Sequence, residues 1–309
     1  MSEFSQHLLQ WYSSNKRDLP WRKTTDPYHI VVSEFMLQQT QVSRVIEKYH
    51  EFLTQFPTIH SLAAASSADV IKAWSGLGYN RRALLLHRFA QEVVTQYNGI
   101  IPRSAVELRL LPGVGAYMAG SIASFAFNLS EPAVDVNVRR IFSRYFTGKD
   151  QGAPLGKREE ERLFLLVKDH IPQNRSADFH NALMDFASVV CTRDAPKCSS
   201  CSMRSFCVFA SFYETEKEKV LYVMEKKKEK GVYENGKFVP NRIFRGRIVE
   251  FARKNESCRI SLAVFGKTIK SDFSISEKEW LIMLCDALQK DHLLTFTVDG
   301  VFIILQLFQ

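Results

Sequence analysis

The sequence predicts an all-α region over residues 1–212, a charged linker at 213–240 and a small α+β module at 241–309. Three observations support this. Apolar residues recur at helical spacing through most of the first region. A glycine-rich turn, Leu111-Pro112-Gly113-Val114-Gly115, separates two of those helical patterns. Near the C-terminus, LLTFTVDGVFIILQ reads instead as two strands about an Asp-Gly hairpin.

Bulk properties narrow the partners. Lys and Arg number 41 against 33 Asp and Glu, a formal net charge of +8. That balance favours a polyanion, nucleic acid before membrane. The N-terminus lacks a basic-then-apolar signal pattern, and no run approaches the ~18 apolar residues of a membrane span. An intracellular monomer without a membrane partner is expected. Four of the six cysteines crowd into Cys191, Cys198, Cys201 and Cys207. Cys258 and Cys285 stand apart in apolar surroundings and read as core residues.

Residues 4–15 form an amphipathic pattern with Leu8, Leu9, Trp11 and Tyr12 on one side. The proline of RDLPWR breaks it. A second helical pattern runs from Tyr28 to Phe56. Inside it, SEFMLQQTQ sets one carboxylate, Glu34, among amides. A solvated face would carry more Lys and Glu, and a buried face fewer amides. Such a stretch suits polar bases and equally suits an ordinary helix end. Residues 59–75 and 79–98 read as two helices parted by Gly76 and Gly78. Arg81, Arg82, His87 and Arg88 make the second one basic, most simply as a solvated face. Pro102 and Ser104 open a helix that ends at Leu111, and further helices are expected at 157–171 and 178–190.

Pro112 stops its helix. Gly113 and Gly115 let the chain turn tightly and present amides. The next helix, with Met118, Ile122, Phe125 and Ala126 apolar, begins at once. A glycine turn feeding a helix N-terminus favours a phosphate, so Leu111, Gly113, Val114 and Gly115 read as a backbone clamp. The same arrangement also occurs in proteins that bind nothing. Asp135 precedes the helix NVRRIFSRYF and reads as a helix cap or, paired with Glu34, as a group for chemistry. The spacing C-x6-C-x2-C-x5-C suits zinc or an iron–sulfur cluster. Structural zinc commonly uses two short Cys pairs, and only the central pair here is short.

Residues 214–230 are charge-rich, and GVYENGKFVP carries turn signals. NRIFRGRIVEFARKN is an amphipathic helix with Phe244, Ile248, Phe251 and Ala252 on one face, and Leu281, Leu284, Cys285 and Leu288 mark another. With the terminal strand pair they suggest a winged-helix-like module.

SEFMLQQTQV, LPGVG followed by VDVN, and the four-cysteine spacing together resemble the helix-hairpin-helix DNA glycosylases that carry an iron–sulfur cluster. The resemblance covers roughly residues 5–210. Within that superfamily the chain is most similar to the A/G-specific adenine glycosylases of the MutY type. Their RDLPWR, SE-x-MLQQTQV and LPGVG segments are nearly reproduced by Arg17 to Arg22, Ser33 to Val42 and Leu111 to Gly115.

The resemblance implies two helical modules with duplex DNA, mismatched or bearing oxidised guanine, in the cleft between them. It implies a [4Fe–4S] cluster on Cys191, Cys198, Cys201 and Cys207. Asp135 matches the catalytic aspartate and Glu34 the general acid, with Tyr117 and Asn137 in support. Arg17, Leu19, Trp21 and Arg22 match a segment near the base pocket, and Gln38, Gln39 and Thr40 belong to the stretch that meets the substrate. Asn181 stands where the family has a Glu or Gln that reaches the adenine edge. Bifunctional relatives carry a lysine two residues after the second hairpin glycine; here that residue is Tyr117. A monofunctional enzyme without β-lyase activity is therefore expected.

Three features depart from the family. Asn181 is a methylene shorter, Val136 replaces a glycine, and residues 241–309 do not resemble the NUDIX-like domain that reads 8-oxoguanine. Three alternatives stay open: a thymine or uracil glycosylase acting on G·T or G·U, a non-catalytic DNA-binding protein, and a zinc-holding structural protein.

Overall fold

A computed structural model describes residues 1–150, 155–213, 229–255 and 257–308. Of the linker expected at 213–240, residues 214–228 lie outside the described residues, and Gly231–Pro240 is not linker but an antiparallel strand pair. The chain opens with α1 (Glu3–Asn15), α2 (Pro27–Leu37), α3 (Val42–Gln55), α4 (Ile59–Ala64), α5 (Ser67–Ala73) and α6 (Arg81–Gln96). It continues with α7 (Ala105–Leu108), α8 (Ala116–Phe127), α9 (Val136–Phe142), α10 (Lys157–His170), α11 (Ser176–Val189) and α12 (Val208–Tyr213). Then come β1 (Gly231–Glu234), β2 (Lys237–Pro240), α13 (Asn241–Lys254), β3 (Arg259–Ser261), α14 (Leu262–Ile269), α15 (Lys278–Lys290), β4 (Leu294–Asp299) and β5 (Phe302–Leu307). Among the described residues no helix is long and apolar enough to cross a membrane.

Two compact units emerge, Met1–Glu34 with Ile101–Lys226 and Phe35–Ile100 with Lys227–Gln309. They cut across the boundaries read from the sequence. The first unit is built on Phe4, Leu8 and Leu9 of α1, Val138 and Phe142 of α9, and Phe179, Ala182 and Leu183 of α11. Cys191, Cys201 and Cys207 pack against this core.

In the second unit Ile71 and Leu84 share one core with Phe244, Ile248, Leu281, Leu284 and Ile303. The C-terminal residues thus bury apolar surface against α5 and α6 rather than only among themselves. Their order is helix, strand, helix, helix and two strands, with the antiparallel sheet running β3-β5-β4. That is the winged-helix arrangement expected.

Local chemistry explains where the elements break. The pattern read as one helix from Tyr28 to Phe56 is two, because the chain turns at Gln38–Gln41, with Gln39 in the left-handed region at φ 56°. The pattern at 59–75 is also two helices, capped separately by Thr58 and Ser66. GVYENGKFVP is a hairpin, its turn made by Asn235 (φ 48°) and Gly236 (φ 75°). Positive φ at both central positions is the turn that matches strand twist. Cys285 is buried as expected, whereas Cys258 is exposed. It lies in the loop just before the edge strand β3.

Candidate active site and cysteine centre

Glu34 sits on α2 among Ile30, Val31, Phe35 and Met36 and is buried. Burial pushes its carboxyl up to about 7, and the negative charge of Asp135 adds to that rise. Hydrogen bonds with Ser121 and Tyr117 pull the other way. Those two residues lie four apart on α8, so one helix face presents both. Ser121 Oγ donates to the Met118 carbonyl at 3.0 Å. Burial and the two nearby carboxylates drive the Tyr117 phenol well above its ordinary range, keeping it a donor.

Asp135 reaches this group because the chain before it is pinned against α8 and α11. Gly120 of α8 lies so close to the Pro132 carbonyl that a Cβ there would stand 2.1 Å from it. The Ala133 amide donates to His180 Nε2 at 3.0 Å, while His180 Nδ1 lies 2.9 Å from the Ser176 carbonyl. Burial pulls His180 down to about 4, so it is a neutral structural ring at physiological pH. Asp135 then caps α9, its Oδ1 accepting the amides of Asn137 and Val138, both at 2.8 Å. The cap and the site are the same residue: the backbone takes Oδ1, and Oδ2 accepts the Asn137 side chain, at 2.7 Å. Asn137 Oδ1 accepts from Arg140 Nη1 at 3.1 Å, and Arg140 Nε donates to the Cys191 backbone carbonyl at 2.9 Å.

In the hairpin the four clamp residues divide. Leu111 and Val114 are buried and anchor the turn, while Gly113 and Gly115 are exposed. Gly113 has φ 78° and needs to be glycine. Gly115 has ordinary backbone (φ −88°, ψ −177°), and open space lies where its Cβ would be. It serves as the N-cap position of α8, where first-turn amides lack intrahelical acceptors.

The segment at 17–22 is engaged within the first unit. Buried Asp185 of α11 accepts Arg17 Nε at 2.5 Å and Arg22 Nη1 and Nη2 at 2.8 and 2.9 Å. Burial alone would raise the Asp185 carboxyl, but its bonds to Arg22 and Arg17 leave it below the usual carboxylate range. Leu19 and Trp21 are buried, and the Asn181 carbonyl accepts from Arg22 at 3.5 Å. Gln38, Gln39 and Thr40 belong to the second unit. There Arg82 donates to the carbonyls of Phe35 and Met36 at 2.8 and 2.9 Å and to Thr40 Oγ1 at 2.8 Å.

All four clustered cysteines line one pocket, walled by Ile141, Tyr145, Phe186, Met203 and Phe209. Burial raises the Cys198 and Cys201 thiols to about 11, with neighbouring sulfurs adding to the effect. Arg144 closes one side: Nη1 is 3.5 Å from Cys191 Sγ and 2.6 Å from the Thr192 carbonyl, and Nε is 2.8 Å from Asp150.

Several of these residues escaped the sequence reading: Ser121, His180, Asp185, Arg140 and Arg144. A signal existed for three of them. His180 and Asp185 are polar residues in a largely apolar helix, which need buried partners, and Ser121 follows Tyr117 by one turn.

The sequence matches the family described as the HhH-GPD superfamily base excision DNA repair protein over residues 32–167. It is 41% identical to an adenine DNA glycosylase of Mycolicibacterium smegmatis over 197 residues, covering 63% of this chain and 66% of that one. It is 40% identical to the Homo sapiens adenine DNA glycosylase over 217 residues, covering 67% and 39%. The chain spans less than two thirds of the length of these curated relatives. Among solved structures, a thermostable thymine-DNA glycosylase aligns with TM-score 0.62 and 29% identity, covering 67% of this chain and 95% of that one. A trapped endonuclease III–DNA covalent intermediate aligns with TM-score 0.58 at 20% identity, covering 68% and 95%, a likeness of fold. With its glycine hairpin between α7 and α8, this chain belongs to the HhH-GPD superfamily of base excision DNA repair proteins.

Proposed function

We propose that the chain is a monofunctional DNA glycosylase that hydrolyses the N-glycosidic bond of adenine mispaired with 8-oxoguanine or guanine. One observation carries this: two carboxylates of the first unit have opposite environments. Glu34 is buried and held toward its neutral form at about 7. Asp135 is half-exposed and accepts three N–H donors. Divergent carboxylates are the pattern expected of an acid and a charge stabiliser. The adenine DNA glycosylases at 40–41% identity support the choice of base.

The chemistry follows from those environments. The target adenine leaves the helix stack, which costs a few kcal/mol. Glu34 gives its proton to an adenine ring nitrogen as the C1′–N bond breaks, so the bonding electrons leave with a neutral base. Positive charge grows on the sugar, and the Asp135 carboxylate stabilises it, as in glycoside hydrolysis. Water adds to C1′ and loses its proton to a carboxylate, leaving an abasic site. Ala116 and Tyr117 follow Gly115, so that position offers no amine for a Schiff base, and the strand stays uncut. The hairpin amides at Gly113 and Gly115 meet a backbone phosphate of the duplex. Asn181 faces the adenine edge, its amide able to both donate and accept.

Four thiolates from Cys191, Cys198, Cys201 and Cys207 would hold a [4Fe–4S] cluster. The donor set fits. All four side chains line one pocket with apolar walls, and one thiolate per iron is the ligation such a cluster takes. When bound, the cluster would cross-link the loop after α11, whose Cys191 carbonyl holds Arg140.

The test is a duplex panel containing A·8-oxoguanine, A·G, T·G and U·G, treated with alkali to reveal abasic sites. Cleavage of the adenine strand only after alkali supports the proposal. Excision from T or U strands alone would select a thymine or uracil glycosylase, the reading that the thymine-DNA glycosylase likeness and the shorter Asn181 favour.

A further inference from the structure

The second unit contains a contact that gives its C-terminal module a task. Helix α13 meets the turn that follows α5 through two charged side chains. Arg253 donates from Nε to the Ile71 carbonyl at 3.0 Å and from Nη2 to Asn80 Oδ1 at 2.9 Å. Its Nη1 donates to Glu250 Oε2 at 3.0 Å, and the same oxygen accepts from Ser75 Oγ at 3.2 Å. Ile71, Ser75 and Asn80 lie on both sides of Gly76, Leu77, Gly78 and Tyr79. A second guanidinium holds this turn from within, for Arg82 donates to the carbonyls of Leu77 and Gly78 at 3.3 and 3.2 Å.

The turn needs that support. Gly76 and Gly78 have φ 86° and 69°, and Tyr79, which is not glycine, has φ 47°. An aromatic residue in the left-handed region persists only where its surroundings over-determine it. The result is a presented ring: Tyr79 is 50% exposed, with Arg82 5.5 Å from its centroid. An exposed aromatic face beside a guanidinium is a surface on which a nucleic-acid base stacks.

The module itself is poorly suited to reading DNA directly. Helix α15, the helix a winged-helix module would offer to a groove, exposes Glu279, Met283 and Asp286, with Lys278 and Lys290 only at its ends. Arg245 and Arg247 of α13 are already paired with Asp291 and Glu234.

We propose that Arg253 is a positioning residue: with Glu250 it braces the Ser75–Asn80 turn so that the Tyr79 ring is held out to stack on DNA bases. The C-terminal module then acts on DNA through the turn rather than by touching it. This rests on reading the chain as a DNA glycosylase.

The test uses the full chain and an A·8-oxoguanine duplex. Arg253→Met should speed amide exchange across residues 76–80 and weaken duplex binding about tenfold, the size of a moderate pairwise coupling. In a Tyr79→Ala background the same change should add nothing, since the ring it positions is gone. Arg253→Lys should restore only part, because one ammonium cannot reproduce a fork of three donors. If Arg253→Met does not fold, Asn80→Ala removes a single bond of the brace and is read the same way. Unchanged exchange in the turn, or losses from Arg253→Met and Tyr79→Ala that simply multiply, would overturn the proposal. Adenine excision by the unmodified chain is scored separately. Its absence would refute the adenine-glycosylase reading, while exchange in the turn still decides the brace.

Discussion

The Asn137 side-chain amide donates to Asp135 Oδ2 at 2.7 Å, on the oxygen that the backbone of α9 does not use. One carboxylate thereby does two things: Oδ1 starts a helix, and Oδ2 is aimed by a neighbour that Arg140 in turn orients at 3.1 Å.

Asp135→Asn should separate those two tasks. Asparagine caps a helix about as well as aspartate, so the thermal midpoint should move little. Removal of the charge should lower single-turnover adenine excision by about 10²–10³-fold, the usual loss for one group that stabilises developing charge. A variant with full excision would remove Asp135 from the chemistry.

Glu34→Gln should abolish the acid and change the pH dependence of stability. The sign follows from the raised pKa. Below about 4.5 Glu34 is neutral in both folded and unfolded chains, and burial costs nothing through its charge. Between that value and about 7 the unfolded chain ionises while the folded one does not. The penalty grows through this window to about 3 kcal/mol above it. Chemical denaturation at pH 5 and pH 8.5 should therefore show Glu34→Gln gaining stability relative to the unmodified chain as pH rises. Excision by the unmodified chain should fall as pH rises through about 7, because the proton is lost. A rate that climbs through this range would contradict an acid role.

Tyr117→Phe removes a donor to Glu34, and that bond favours the charged carboxylate. Glu34 should then hold its proton to a higher pH. The alkaline limb of the excision profile should move upward, even if the maximal rate drops. A downward move would mean that the phenol stabilises the acid form instead.

The two hairpin glycines should respond differently to alanine. Gly113 (φ 78°) should cost roughly 1–2 kcal/mol of stability as alanine. Gly115, with ordinary backbone and open space, should tolerate a Cβ in the fold. Gly115→Val should nevertheless weaken binding to matched and mismatched duplexes alike, because a phosphate contact carries no sequence information. Affinity measured across the duplex panel checks this; a loss confined to one mispair would rule out the phosphate role.

Replacement of Cys198 or Cys201 by Ser should abolish the broad visible absorbance and the stoichiometric iron expected of the purified chain. The thermal midpoint should fall with them, since the pocket they line belongs to the first unit's core. Stoichiometric zinc without visible absorbance would assign the cysteines to a mononuclear centre.

Sequence alone determined the helical class, the glycine hairpin, the cysteine spacing and the identities of Glu34 and Asp135. These are local signals, written in apolar periodicity, turn chemistry and residue type within short windows. The break at Gln38–Gln41 was not legible, because its amides are compatible with a helix and Arg82, far along the chain, stabilises the turn. Nor was the fate of Arg17 and Arg22, which look free for substrate until Asp185 of α11 arrives to take them. The proton on Glu34 was likewise a tertiary decision. A glutamate in a sequence titrates near 4.5, and only burial, with Tyr117, Ser121 and Asp135 around it, moves it to about 7.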